Sequence, residues 1–222
     1  MLQKQTFEKN LYMKLFRWAY ILLISNLCLV LVTAPFFLAV CLLAVDPRNL
    51  PLFLISLLPF GSGVPALLAV VDRFKEEKDV EPVRCFFQAY RKFWLKGQLF
   101  WLAGWLGSIV AVTDMVFFAK LSNGQWLIPF FLLLGVLSVA LSLNCWYFLI
   151  RNPEAAAKDV LRMAAYYTLR KWYSGLLNVL LFAALLALML LKPQFGFTLT
   201  PALFVGLIYL NSGKLHPKEV VA

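Results

Sequence analysis

Acidic residues, histidine and cysteine are all scarce in this chain of 222 residues, which holds eleven Asp and Glu, one His and four Cys. The one histidine, His216, stands in the C-terminal tail, so no second imidazole can join it in a zinc site. Cys28, Cys41, Cys85 and Cys145 show no paired spacing. Three fall in apolar stretches and one in a segment expected on the reducing side, so disulfides are not expected. A Walker loop, HExxH, GxSxG and paired carboxylates inside apolar stretches are also missing. A Ser–His hydrolase would have to use His216, next to Pro217 and just beyond the last apolar stretch, a poor place to hold a rigid base. The expectation is a protein that is not an enzyme, holds no metal and takes no cofactor.

Charge is thin as well: 14% of residues are charged and 62% apolar, outside soluble globular norms. The apolar residues run in long unbroken stretches, which argues for a bilayer rather than an aqueous core. The pattern predicts an all-α polytopic membrane protein, a single membrane domain with six spans at about 18–45, 50–71, 97–119, 126–150, 174–191 and 195–212. Each approaches or exceeds the roughly 20 residues needed to cross about 30 Å of hydrocarbon. The first is overlong and is expected to tilt or to run along the interface before entering. It is also too long for the apolar region of a signal peptide, and no small-residue cleavage site follows, so it is expected to stay as a span. Pro193, Gln194 and Pro201 crowd the outer end of the last.

What charge there is lies unevenly. Eighteen of the 21 Lys and Arg fall in four segments: before residue 18, at 72–96, at 151–173, and after 212. The other loops hold only Arg48, Lys120 and Lys192. Short cytoplasmic loops collect Lys and Arg, which predicts a multi-pass protein of the cell membrane with both termini cytoplasmic. The net charge of +10 is then matched to anionic lipid headgroups, and nucleic acid is not an expected partner.

The two central cytoplasmic segments read as amphipathic helices lying in the headgroup plane. In the first, Pro82 marks a helix start, and Phe86, Tyr90 and Trp94 form a candidate docking face among Arg84, Arg91, Lys92 and Lys96. In the second, Asn152 is a predicted N-cap with Pro153 behind it. A basic-aromatic word precedes the first, third and fifth spans, and Pro65, Pro129 and Pro201 stand in their partners, which suggests three helical hairpins. Snorkelling Arg, Lys and Trp at any cytoplasmic border would give the same words.

Two features could carry function. Pro59, Gly61, Ser62, Gly63 and Pro65 interrupt the second span, and a broken helix at mid-membrane is how many transporters bind solutes. The other use of such residues is a kink or a tight helix crossing. Asp114 is the sole acidic residue inside a span, which marks a solute or proton site, a partner's ion pair, or a side chain reaching outer headgroup water or Lys120 nearby. Asn26, Ser108, Thr113, Ser142, Asn144 and Asn178 could line a polar path, or simply bond between helices.

From Asn26 to Gly97 the chain resembles the YesL-like family (domain of unknown function 624) of bacterial membrane proteins. The words that carry this are Asn26-Leu27 with a later Pro35, Pro65-Ala66-Leu67-Leu68-Ala69, and an aromatic-basic run from Pro82 through Phe86, Phe87, Arg91, Lys92 and Phe93. Asn144-Cys145-Trp146-Tyr147-Phe148 is similar too, although Leu149 stands where the family often has proline. The resemblance implies an accessory or scaffold protein beside carbohydrate uptake, with sugar-transporter subunits as partners. It assigns no functional residues. A small-solute secondary transporter using the broken second span, in a homo-oligomer if two copies are needed to enclose a path, is the alternative. A lipid- or envelope-related role is a third.

Overall fold

The computed structural model describes residues 11–77, 80–121 and 124–214, and all regular structure there is helical. Ten α-helices follow one another: α1 Leu11–Val32, α2 Ala34–Leu42, α3 Leu50–Ser56, α4 Phe60–Glu77, α5 Pro82–Ala119, α6 Ile128–Arg151, α7 Ala157–Arg170, α8 Trp172–Leu191, α9 Pro193–Thr198 and α10 Thr200–Gly213. Three are long and apolar enough to cross a membrane: α5, α6 with its leading turn, and α8. The bent pairs α1/α2 (81°) and α3/α4 (45°) raise that to five if each is one span.

Proline sets the breaks. The first stretch, expected to tilt or to run along the interface before entering, turns by 81° at Thr33, because Pro35 lacks an N–H and obstructs the carbonyl one turn back. The second bends at Leu57–Pro59, whereas Pro65 sits inside α4 without ending it. The stretch 195–212 is divided at Leu199, and its longer piece, α10, is about 21 Å at 1.5 Å per residue. The three expected hairpins thus differ in plan: both arms of the first are bent, α5 and α6 are unbroken, and the arm after α8 is split.

The two central basic segments also differ from expectation. Residues 82–96 form no separate helix in the headgroup plane; they are the first turns of α5, which is unbroken over 38 residues, about 57 Å. The basic-aromatic composition is common to both arrangements, but no Pro after Pro82 and no capping residue interrupts this helix. Within it, Phe86 is fully buried, Tyr90 half-buried and Trp94 50% exposed. Four residues rotate a helix by about 400°, so a row at that spacing walks sideways by about 40° per step, out of the core. Phe86 is therefore a core residue and not part of a docking face. Asn152 likewise does not start a helix. It ends α6, its amide donating to the Phe148 carbonyl at 3.3 Å, and Pro153 behind it prevents continuation.

The core gathers around the inner half of α6. Every residue from Ser142 to Ile150 is buried, as a helix apolar on all sides demands. α4 and α5 pack closest there through Gly61 and Gly97. α7 folds back along α6 with Val160, Ala164 and Thr168 buried, and Thr168 receives the Asn144 amide at 2.8 Å.

Candidate functional site

A side chain bonds to the backbone at each break, and at the third it takes groups that have no backbone partner. At the first, the Thr33 hydroxyl donates to the Leu29 carbonyl at 2.8 Å. At the second, the Trp101 indole N–H on α5 donates to the Leu57 carbonyl at 3.1 Å, and the Ser62 hydroxyl donates to Pro59 at 3.2 Å. At the third, Asn26 reaches across from α1. Its Nδ2 donates to the Thr198 carbonyl at 2.8 Å, and its Oδ1 accepts the Ala202 N–H at 2.8 Å. Thr198 O and Ala202 N are the i and i+4 partners of one helical bond, opened at Leu199. The amide stands in for that bond, and Asn26 is fully buried as it does so.

The expected solute site is correspondingly packed. Gly61, Ser62, Gly63 and Pro65 are buried, with Pro59 half-buried. A Cβ on Gly97 would lie 2.6 Å from the Gly61 carbonyl oxygen and 3.1 Å from Pro65 Cγ. That oxygen lost its helical donor to Pro65, so the proline frees an acceptor where α5 brings its backbone closest. Across the same crossing, Trp101 stacks on Trp146 at 5.3 Å, and the Trp146 indole donates to the Gly97 carbonyl at 3.1 Å. These glycines make a tight helix crossing.

The remaining polar candidates bond within the bundle. Ser108 donates to Gly104 O, Ser142 to Phe100 O, and Asn178 to Ser212 while accepting from Asn211. Thr113 is exposed and Asp114 half-buried on the outer half of α5, away from the other candidates.

Sequence reasoning passed over the polar cluster that joins three helices at the inner end. Arg151 Nη1 on α6 donates to Asp72 Oδ1 at 3.0 Å and Glu76 Oε1 at 2.9 Å on α4. The Tyr209 hydroxyl on α10 donates to the same Asp72 oxygen, and the Asp72 side chain is only 16% exposed. The available signal was two carboxylates at i, i+4 closing one span, opposite an arginine closing another. Nearby, Lys92 pairs with Glu154 at 3.0 Å, and Lys96 donates to the Ala155 carbonyl at 2.9 Å, tying the α6–α7 link to α5. Chiefly through that hydrogen bond, the Lys92 ammonium holds the exposed Glu154 carboxyl below the usual carboxylate range.

A cavity of about 340 Å³ opens at the elbow between α4 and α5, lined by Arg73, Glu77, Glu81, Arg84, Cys85 and Gln88 among others. Its charges are matched in pairs, Arg73 with Glu77 at 3.4 Å and Arg84 with Glu81 at 4.0 Å, so it favours neither an anion nor a cation. Among the described residues no group of three or more His, Cys, Asp or Glu could hold a metal.

Residues 10–115 match the family model described as Protein of unknown function, DUF624. The match covers a little under half of the chain. No curated protein and no solved structure matches the chain. The matched part holds Asn26, Gly61, Pro65, Asp72, Gly97 and Trp101, whereas Thr198, Ala202, Trp146, Arg151 and Tyr209 lie beyond it. The Gly61–Gly97 crossing thus lies within the matched part, while the Asn26 bridge and the Asp72–Arg151 pair join it to the remainder of the chain.

Proposed function

We propose that the chain is a membrane accessory or scaffold protein rather than a solute carrier. The side-chain packing of the helix breaks carries this reading. A transporter's broken helix offers its freed backbone groups to a solute or a water-filled cavity. Here Asn26 occupies the freed groups at the third break, Trp101 adds a bond to the Leu57 carbonyl at the second, and glycine crossings close the space beside it. The link to carbohydrate uptake, with sugar-transporter subunits as partners, rests on the resemblance to the YesL-like family. Pulling down the tagged protein in a gentle detergent from its own membrane is expected to recover transporter subunits in stoichiometric amount. Trp94→Ala should lower that recovery at least tenfold, because Trp94 is half exposed beside Arg91 and Lys92. Recovery of the protein alone would overturn the reading.

The finer topology belongs to the same proposal: six spans in the cell membrane, with both termini cytoplasmic and α10 completing the last crossing. Its support is the placing of Lys and Arg, together with exposed aromatics at both ends of the bundle. A cysteine replacing Trp126, 89% exposed in the turn before α6, is expected to react with an impermeant thiol reagent on intact cells. One replacing Trp94 should react only after lysis, and the opposite pattern would invert the topology.

A further inference from the structure

α7 buries one side only. Val160, Ala164 and Thr168, four residues apart in turn, form its buried row. The next row around the helix holds Leu161 and Leu169, and the one after it Arg162, Tyr166 and Arg170. All five are exposed among the described residues. Beyond Leu169 come Trp172 and Tyr173, and these three are each more than 60% exposed. An apolar row beside a basic one suits a membrane surface, where leucines enter the acyl boundary and arginines reach the headgroups.

Residues 82–96 have a similar composition and are part of α5, so composition alone does not place α7. Chain continuity does. α7 ends at Arg170, and α8 begins one residue later at Trp172. α8 has 20 residues, about 30 Å at 1.5 Å per residue, so crossing about 30 Å of hydrocarbon uses all of it. Trp172 and Tyr173 then stand at the hydrocarbon boundary, where such rings settle, and Arg170 lies just outside it among the headgroups. The other end of α7 is held at the same border, since the link before it bonds to Lys92 and Lys96 on α5. A soluble protein covering Leu169, Trp172 and Tyr173 would have to displace headgroups already there.

We infer that the outer face of α7 is a binding surface for anionic phospholipids. Lys158, Arg162 and Arg170 are exposed on this helix, and each basic side chain near an anionic surface adds to the attraction. Its one acid, Asp159, stands in the first turn, where it answers the helix's own terminal charge. Arg170 donates to the Tyr166 hydroxyl one turn back, which holds its guanidinium on the outer face. A guanidinium fork matches two oxygens of a phosphodiester, and an anionic lipid brings no ammonium to compete for them.

The test puts the photo-crosslinker p-benzoylphenylalanine in place of Leu169 in the full chain. The protein is set in nanodiscs of phosphatidylcholine with one-fifth phosphatidylglycerol, and captured lipid is identified by mass spectrometry. Phosphatidylglycerol should exceed its share among the adducts by about fivefold or more. The double change Arg162→Gln, Arg170→Gln should return it to its share, and Arg162→Lys, Arg170→Lys should keep most of the excess. Both variants should purify with the parent's helical content, because neither arginine is buried. Adducts at the bulk ratio in the parent, no lipid adduct, or an excess undiminished by the glutamines would overturn the inference. So would capture of a protein in place of lipid when the same chain is illuminated in its own membrane. The Trp94-dependent pull-down reports on α5 alone, so the accessory reading stands or falls separately.

Discussion

Asn26→Leu is expected to destabilise the protein by about 2–6 kcal/mol. Leucine keeps the branching and heavy-atom count of the asparagine side chain and is bulkier, so the change removes no packing. It strips the Thr198 carbonyl and the Ala202 N–H of their partners in a buried place, at roughly 1–3 kcal/mol for each group. Side-chain pairs between membrane helices, such as Asn144 with Thr168, average about 0.6 kcal/mol, because either member finds another partner when released. The groups that Asn26 serves have no such freedom: Pro201 obstructs closure of the helix between them, so the bond they would make with each other stays open. Asn26→Asp separates the two halves of the bridge. A carboxylate still accepts from Ala202 but faces the Thr198 carbonyl without a donor, so its loss should be at least as large. Denaturation followed by helical circular dichroism in detergent or bicelles measures both. A midpoint for Asn26→Leu equal to that of the parent would dispose of the bridge.

Of these breaks the sequence pointed to the one in the second span, through Pro59, but not to the one at Pro35, and it did not say what bonds to any of them. Asn26 and Ala202 are 176 residues apart, and nothing local to either names the other. The membrane class was legible because it depends on summed hydropathy and on where Lys and Arg fall, both additive along the chain. Whether a basic-aromatic helix bends into the interface or continues straight is not additive in that way. α5 runs on through Lys92 and Lys96 because Gly97, tolerated in a helix, packs against Gly61 instead of serving as a hinge. The same continuity places Phe86 in the core. Its exposed appearance in the sequence came from basic neighbours that occupy the opposite face. Of the candidate solute residues, Gly61, Ser62, Gly63 and Pro65 lie buried together in α4. A tight crossing and an open path use the same residue types, and only the position of α5 distinguishes them.

A graded series of glycine substitutions separates the two. Gly97→Ala should be the most damaging, costing about 1–3 kcal/mol, because its new methyl would meet a backbone oxygen at 2.6 Å and two helices must move apart. Gly61→Ala comes next, since its Cβ would lie 2.8 Å from Trp101 Cβ and 3.0 Å from the Gln98 backbone. Gly63→Ala should cost much less. It meets the far end of the Leu29 side chain at 2.8 Å, which can turn away. Gly206→Ala has nothing within 4 Å and should be neutral, or stabilising by up to about 1 kcal/mol through helix propensity. Leucine at positions 61 and 97 should prevent assembly outright, visible as loss of the monodisperse species on gel filtration. If the space beside Gly61 and Gly63 were instead a solute path, both glycines would accept leucine with normal assembly and lose only flux. The order Gly97, Gly61, Gly63, Gly206 is thus a reading of the space beside each glycine, and a solute path has no reason to reproduce it.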